Sequence, residues 1–172
     1  MARNGLGSFN GGLSVNTTNG GLTRLTQFSI TANTANIADV NIKTNGLLLY
    51  SDSKGGSTYL SNSVVWGNAT DFDTKDISLS GSGIYLDHVH YGGITGSAPA
   101  SNTNPGSGDP GFVAPGDPHL GNGSVLIDTG NPNPNGNISS WDVEGRTRVE
   151  GVAVDVGAYE WHDRVFADGF DQ

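Results

Sequence analysis

Leu25-Thr26-Gln27-Phe28-Ser29-Ile30-Thr31-Ala32-Asn33 is followed 35 residues later by Leu60-Ser61-Asn62-Ser63-Val64-Val65-Trp66-Gly67-Asn68. Both begin on Leu, carry an aliphatic residue three positions before the end (Ile30, Val65) and finish on Asn. The flanking sequence repeats at nearly the same interval. Asn10-Gly11-Gly12-Leu13-Ser14-Val15 resembles Thr44-Asn45-Gly46-Leu47-Leu48-Leu49 at an offset of 34, and Asn19-Gly20-Gly21 matches Lys54-Gly55-Gly56 at 35. Self-similarity at one interval of this size is the signature of a stacked repeat. The blocks are short, aliphatic and cornered by Asn and Gly, with no helical segment between them. They predict an all-β fold, a right-handed parallel β-helix (β-solenoid) of few coils followed by a C-terminal capping segment. Coils of this kind stack about 4.8 Å apart, and their corners favour Gly and Asn, which tolerate a left-handed backbone.

The composition agrees with narrow strands and tight turns. Only 34% of the 172 residues are hydrophobic and 15% are charged, and there are 27 glycines. Gly, Asn or Pro interrupts nearly every window before a second helical turn could close. Strand-like runs occur at Leu13–Val15, Leu22–Ile30, Val40–Ile42, Leu47–Tyr50, Tyr59–Trp66, Ile77–Leu79 and Ile84–Val89.

A formal net charge of -9 with only 8 Lys and Arg disfavours nucleic-acid binding, which needs clustered cations. The absence of cysteine excludes disulfide and thiol chemistry. No stretch approaches the roughly 20 apolar residues of a membrane-spanning helix. The opening Met1-Ala2-Arg3-Asn4-Gly5 lacks the apolar core of a signal peptide, and the expectation is a fragment of a longer exported chain, with further coils upstream. Four Asn-x-Ser/Thr sequons, at Asn16, Asn68, Asn122 and Asn137, are read as chance in an Asn-rich chain.

The chain divides into coils over 1–97, a Pro/Gly-rich connection over 98–118 too rich in Pro for a central strand, a closing segment over 119–161 packed on the coils, and an exposed tail over 162–172. In the closing segment, Asp109-Pro110-Gly111-Phe112-Val113, His119-Leu120 and Gly123-Ser124-Val125-Leu126-Ile127-Asp128-Thr129-Gly130 are followed by Asp142-Val143-Glu144-Gly145-Arg146-Thr147-Arg148 and Val154-Asp155-Val156-Gly157-Ala158-Tyr159-Glu160. In this order they resemble the closing motifs of bacterial choice-of-anchor Q domain proteins, and Leu60–Asn68 resembles that family's last regular coil. Val125 departs from the family's usual Pro, and Gly111 from a larger apolar residue. The resemblance implies a pectin-lyase-like β-helix in a secreted or surface-anchored bacterial protein, and no defined reaction. The tail Phe166-Ala167-Asp168-Gly169-Phe170 is similar to a C-terminal ending of some exported bacterial proteins.

Asp128, Asp142, Arg148, Asp155 and Glu160 stand in small or apolar surroundings. They read as a structural polar network pinning turns, because buried charges must be paired and one guanidinium can serve two carboxylates; an active-site cluster is the competing reading. Asp71, Asp73 and Asp76 are weak candidates for calcium, without EF-hand spacing. His88 and His90 fall on one face of a strand, with Asp87 opposite and no third metal ligand in view. Trp66, Tyr85 and Tyr91 are candidate glycan contacts if they line one outer sheet. No Gly-x-Ser-x-Gly elbow occurs, and Lys43, Lys54 and Lys75 sit in no lyase motif. No catalytic residue or cofactor is assigned.

The function expected is that of a non-catalytic C-terminal module that ends a β-helix, with polysaccharide or cell surface as partner. Val125–Ile127 and Val154–Tyr159 would lie across the open coil end. The rivals are a fragment of a polysaccharide lyase or glycoside hydrolase, and an adhesive carbohydrate-binding module.

Overall fold

A computed structural model describes residues 12–33, 46–68 and 75–162. Among these residues there is no helix; every element is a strand, and all but one strand pairing is parallel. Val40–Ile42 and the tail from 163 onward lie outside the described residues.

The chain alternates between two parallel sheets. One contains β1 (Leu13–Thr17), β4 (Leu47–Ser51), β6 (Ile77–Gly81) and β8 (Ile94–Gly96), in that order. The other contains β2 (Leu22–Thr26), β5 (Ser57–Trp66), β7 (Ile84–Tyr91) and β9 (Ser101–Thr103), with β3 (Ser29–Thr31) also paired to β5. The 35-residue repeat sets the first register: Leu13 lies beside Leu47 and Leu25 beside Leu60. The interval then contracts. Leu47 pairs with Ile77 and Ile77 with Ile94, while Thr58 pairs with Ile84 and Tyr85 with Ser101. Each tier is shorter than the one before: the connection 67–76 between β5 and β6 gives way to 92–93 between β7 and β8, and the strands themselves shorten to three residues at β8 and β9.

Those columns form the core. Leu47, Leu49, Leu60, Val65, Ile77, Ile84, Leu86 and Val89 are at most 1% exposed. Burial of an aliphatic of this size is worth about 1.5–3 kcal/mol. A chain of buried hydroxyls joins the sheets at one edge: Thr58 Oγ1 donates to Thr17 Oγ1, and Thr17 Oγ1 to Thr23 Oγ1, both at 2.7 Å.

A sharp bend divides each long strand. Gln27, Asn62, His88 and Asn104 all have φ between 46° and 61°, and they fall in one column because their neighbours pair tier by tier. The left-handed residue interrupts strand alternation, so residues before and after it face different surroundings. Leu60 and Val65 both enter the core between the sheets, whereas Val64 packs into a second apolar cluster with Leu120, Leu126 and Val156.

That second cluster is where the closing segment docks. Gly157 N–H donates to Asn62 O (3.0 Å), Ala158 N–H to Ser29 Oγ (2.9 Å), Asn131 N–H to Asn62 Oδ1 (2.7 Å) and Asn131 Nδ2 to Asp87 Oδ2 (2.6 Å). Gly157 has no room for a side chain: a Cβ there would sit 2.9 Å from Ser29 Oγ and 3.1 Å from Val64 Cγ1. Ser29, Asn62 and Asp87 belong to three consecutive tiers, so these contacts run along the flank of the sheets. An end-on placement of Val125–Ile127 and Val154–Tyr159 is replaced by a lateral one, because the apolar surface offered to them is the outward face at Val64.

The stretch 98–118 is more regular than its Pro content suggests. β9 extends the second sheet, and β10 (Phe112–Ala114) pairs antiparallel with β11 (Asp117–Leu120). Pro118 is accommodated in β11 because this two-stranded pair leaves an edge on which its missing N–H is not needed.

Candidate functional site

The closing segment brings Asp128, Asp142, Arg148, Asp155 and Glu160 together. Arg148 is 1% exposed, Asp155 1%, Glu160 5% and Asp142 8%. Arg148 Nη2 donates to the carbonyl oxygens of Asp155 (3.1 Å) and Gly157, while its Nε stands 3.9 Å from Glu160 Oε2. Arg148 Nε and Nη1 make no hydrogen bond with a described residue. The guanidinium therefore serves mainly as a carbonyl clamp on the 155–157 turn, which is the turn that meets Asn62 and Ser29.

The carboxylates are occupied by backbone. Asp155 accepts from Asp128 N–H (2.7 Å) and Trp161 N–H (2.6 Å). Asp142 accepts from Glu144, Arg146 and Glu160 N–H groups at 2.8–3.2 Å. Asp128 Oδ1 accepts from Ala153 N–H, and Glu160 from Asp155 and Glu150 N–H. Burial pushes the Glu160 carboxyl up to about 7, with Asp155 adding repulsion, and it raises Asp155 as well. Burial also pushes up on Asp142, but three N–H donors outweigh it and hold that carboxyl below its ordinary value. Arg148 is depressed by burial, an effect opposed by Glu160, Asp155 and Asp142. Carboxylates that already accept two or three main-chain donors act as turn-holders.

A second cluster lies beside this network. His119 on β11 hydrogen-bonds Asp117 Oδ1 through Nδ1 and Glu144 Oε1 through Nε2 (3.0 Å), with the Tyr159 ring 4.2 Å away. These carboxylates raise the His119 pKa, and His119 lowers that of Asp117. Both ring nitrogens are engaged on opposite sides, so the imidazole is neither a free base nor a ligand that could share one metal ion with both acids. His119, Arg146, Glu160 and His162 line an open cleft of about 730 Å³. Sequence reasoning missed this cluster. The pairing Asp117-x-His119 was its only local signal, since Glu144 arrives from 25 residues away.

The remaining candidates separate. Asp76 is buried, and its carboxylate accepts from Asn68 N–H, Asn68 Nδ2 and Gly92 N–H; Asp71 and Asp73 lie outside the described residues. No group of three metal-binding side chains occurs among the described residues. His88 bonds Asp87 Oδ1 at 2.8 Å, and His90 reaches Gly108 O at 2.8 Å. The left-handed backbone at His88 is what lets it meet Asp87, against the strict alternation the strand predicts.

Trp66, Tyr85 and Tyr91 do not share one platform. Tyr85 stacks on Tyr59 with centroids 4.6 Å apart and 10° between the rings, which occupies one of its two faces. Tyr91 packs against the core and accepts from Asn102 Nδ2 through its hydroxyl. Trp66 lies past the bend, tilted on His90 at 5.6 Å, and lines a cleft with Phe112. No helix among the described residues is long and apolar enough to cross a membrane. No family model, curated protein or solved structure matches the chain.

Proposed function

We propose that this chain is the non-catalytic C-terminal module of a secreted or surface-anchored bacterial protein, a right-handed parallel β-helix of the choice-of-anchor Q kind, in which 119–161 fastens the last coils. Upstream coils of the same protein are its first partner in this proposal, and a polysaccharide or cell surface its external one. The observation that carries it is the use made of the charges: Asp128, Asp142, Asp155 and Glu160 each accept main-chain N–H groups of their own segment, and Arg148 grips the turn that bonds Asn62 and Ser29. Groups spent in this way hold a fold together. The in-register parallel columns and the stacked left-handed corner support the coil architecture.

The test is incubation of the full chain with pectin, alginate and β-glucan, with products read by chromatography of released oligosaccharides. No release is expected. Depolymerisation or unsaturated ends would establish the lyase or hydrolase reading instead.

A further inference from the structure

We propose that the cleft between Trp66 and the Phe112–Gly116 turn is a binding subsite for one or two units of a neutral polysaccharide. The cleft has a volume of about 360 Å³, within the range of small-ligand sites. Two aromatic side chains from different parts of the chain line it, Trp66 at the end of β5 and Phe112 at the start of β10, and Pro115 supplies a third apolar wall. Such walls suit the C–H faces of a pyranose ring.

The polar groups are few. Asp109 is exposed at the rim; its Oδ1 accepts from Gly111 N–H (2.9 Å), which fixes the carboxylate while Oδ2 remains for hydroxyl donors. Thr31 is 2% exposed and its Oγ1 has no hydrogen-bond partner among the described residues. A buried hydroxyl without a partner costs roughly 1–3 kcal/mol, and Thr31 sits in the wall of this cleft. Its Oγ1 is closed off beneath the wall, so the Asp109 carboxylate at the rim is the first polar group a sugar meets.

Charge selects the sugar class. Among the described residues of the lining the only ionised group is Asp109, and the chain carries a net charge of -9. A uronate would meet repulsion with no cation among the described lining residues to offset it. The ligand is therefore a neutral hexan or pentan, not pectin or alginate. The proposal stands apart from the fastening role of 119–161, since none of the residues it uses belongs to that network.

The test is titration of the full chain with cellotriose, laminaritriose, mannotriose, xylotriose and trigalacturonate, read by the indole N–H resonances of Trp66, Trp141 and Trp161. Saturable movement of the Trp66 resonance by at least one neutral sugar is expected, with no response to trigalacturonate. Asp109→Asn and Phe112→Ala should each weaken binding about tenfold or more, and Trp141→Ala, at an exposed position, should leave it unchanged. A Trp66 resonance still at millimolar levels of every neutral sugar, a response to trigalacturonate of equal strength, or movement confined to Trp141 would each overturn the proposal.

Discussion

Asn33 donates both its backbone N–H (3.1 Å) and its side-chain amide (2.8 Å) to Oδ1 of Asn68, one tier above it. Asn68 passes the ladder on: its own amide nitrogen bonds Ile30 O (2.8 Å) and Asp76 Oδ1 (3.1 Å). Both Asn residues are at most 1% exposed. Removing the upper one strands buried donors and an acceptor, each costing about 1–3 kcal/mol. Asn68→Ala should lower unfolding free energy by about 3 kcal/mol or more in urea denaturation. Asn68→Asp, which keeps the acceptor but places a charge beside Asp76, should be no milder. A loss below 0.5 kcal/mol for Asn68→Ala would show that the ladder is ornamental.

Gly81 ends β6 with φ 93°, and a Cβ there would overlap the carbonyl oxygen of Ser51 in the neighbouring strand. The strand cannot move away without breaking its pairing. Gly81→Ala should cost about 2 kcal/mol or more through backbone strain and lost register. Gly55 is the control, since it has positive φ but open space around a Cβ; Gly55→Ala should cost about 1 kcal/mol. Equal melting temperatures for the two variants would refute the close approach at Ser51.

Stability should fall as pH rises from mildly acidic to mildly basic. Glu160 has a folded pKa of about 7 against an ordinary 4.5, so the folded state prefers it protonated. Its contribution is complete below about 4.5 and is lost as pH climbs through 7, amounting to no more than about 3 kcal/mol. His119 acts in the same direction, because its raised pKa stabilises the fold below the unfolded value and that gain fades as the ring deprotonates. Asp117 and Asp142, held low, act oppositely, and their contribution is lost as pH drops below 4. The melting temperature should peak at about pH 4–5. Glu160→Gln should flatten the decline toward pH 8, and an unchanged slope would remove Glu160 as its cause.

Arg148 cannot be shortened without leaving Asp155 and Glu160 uncompensated in a dry site. Arg148→Met should destabilise by about 3–5 kcal/mol. At pH 5 the loss should be smaller than at pH 8, because protonated Glu160 no longer needs a counter-charge. Hydrogen exchange would localise the damage: amides of Gly157 and Ala158 should lose protection before those of β5. Uniform loss across the sheets would mean that Arg148 supports the whole fold and not the clamp alone.

The first two tiers were readable because Leu25 and Leu60, and Leu13 and Leu47, carry the same pattern at the same interval. The later tiers were not. Gln27, Asn62, His88 and Asn104 occupy equivalent corners at three unequal intervals and with three residue types, so nothing in the letters announces the column. The strands in 98–118 were hidden by Pro and Gly: β9 is three residues long, and β10–β11 gain their regularity from an antiparallel partner only folding supplies. Asp128, Asp142, Arg148, Asp155 and Glu160 could be singled out because charged residues amid Val, Gly and Ala need a partner. His119 escaped notice because Glu144, one of its two acids, is remote in sequence. The separation of Trp66 from Tyr85 follows from the bend at Asn62, which turns one strand into two faces.

The bonds from 131–158 reach Ser29, Asn62 and Asp87, on three successive tiers. A stack of strands pulled from one end ordinarily peels like a zip, one layer yielding at a time. A strap stitched along the side distributes tension over several layers together, so they resist as a unit and give way in a single event. For a stack under load, that is the difference between fraying and holding until it breaks.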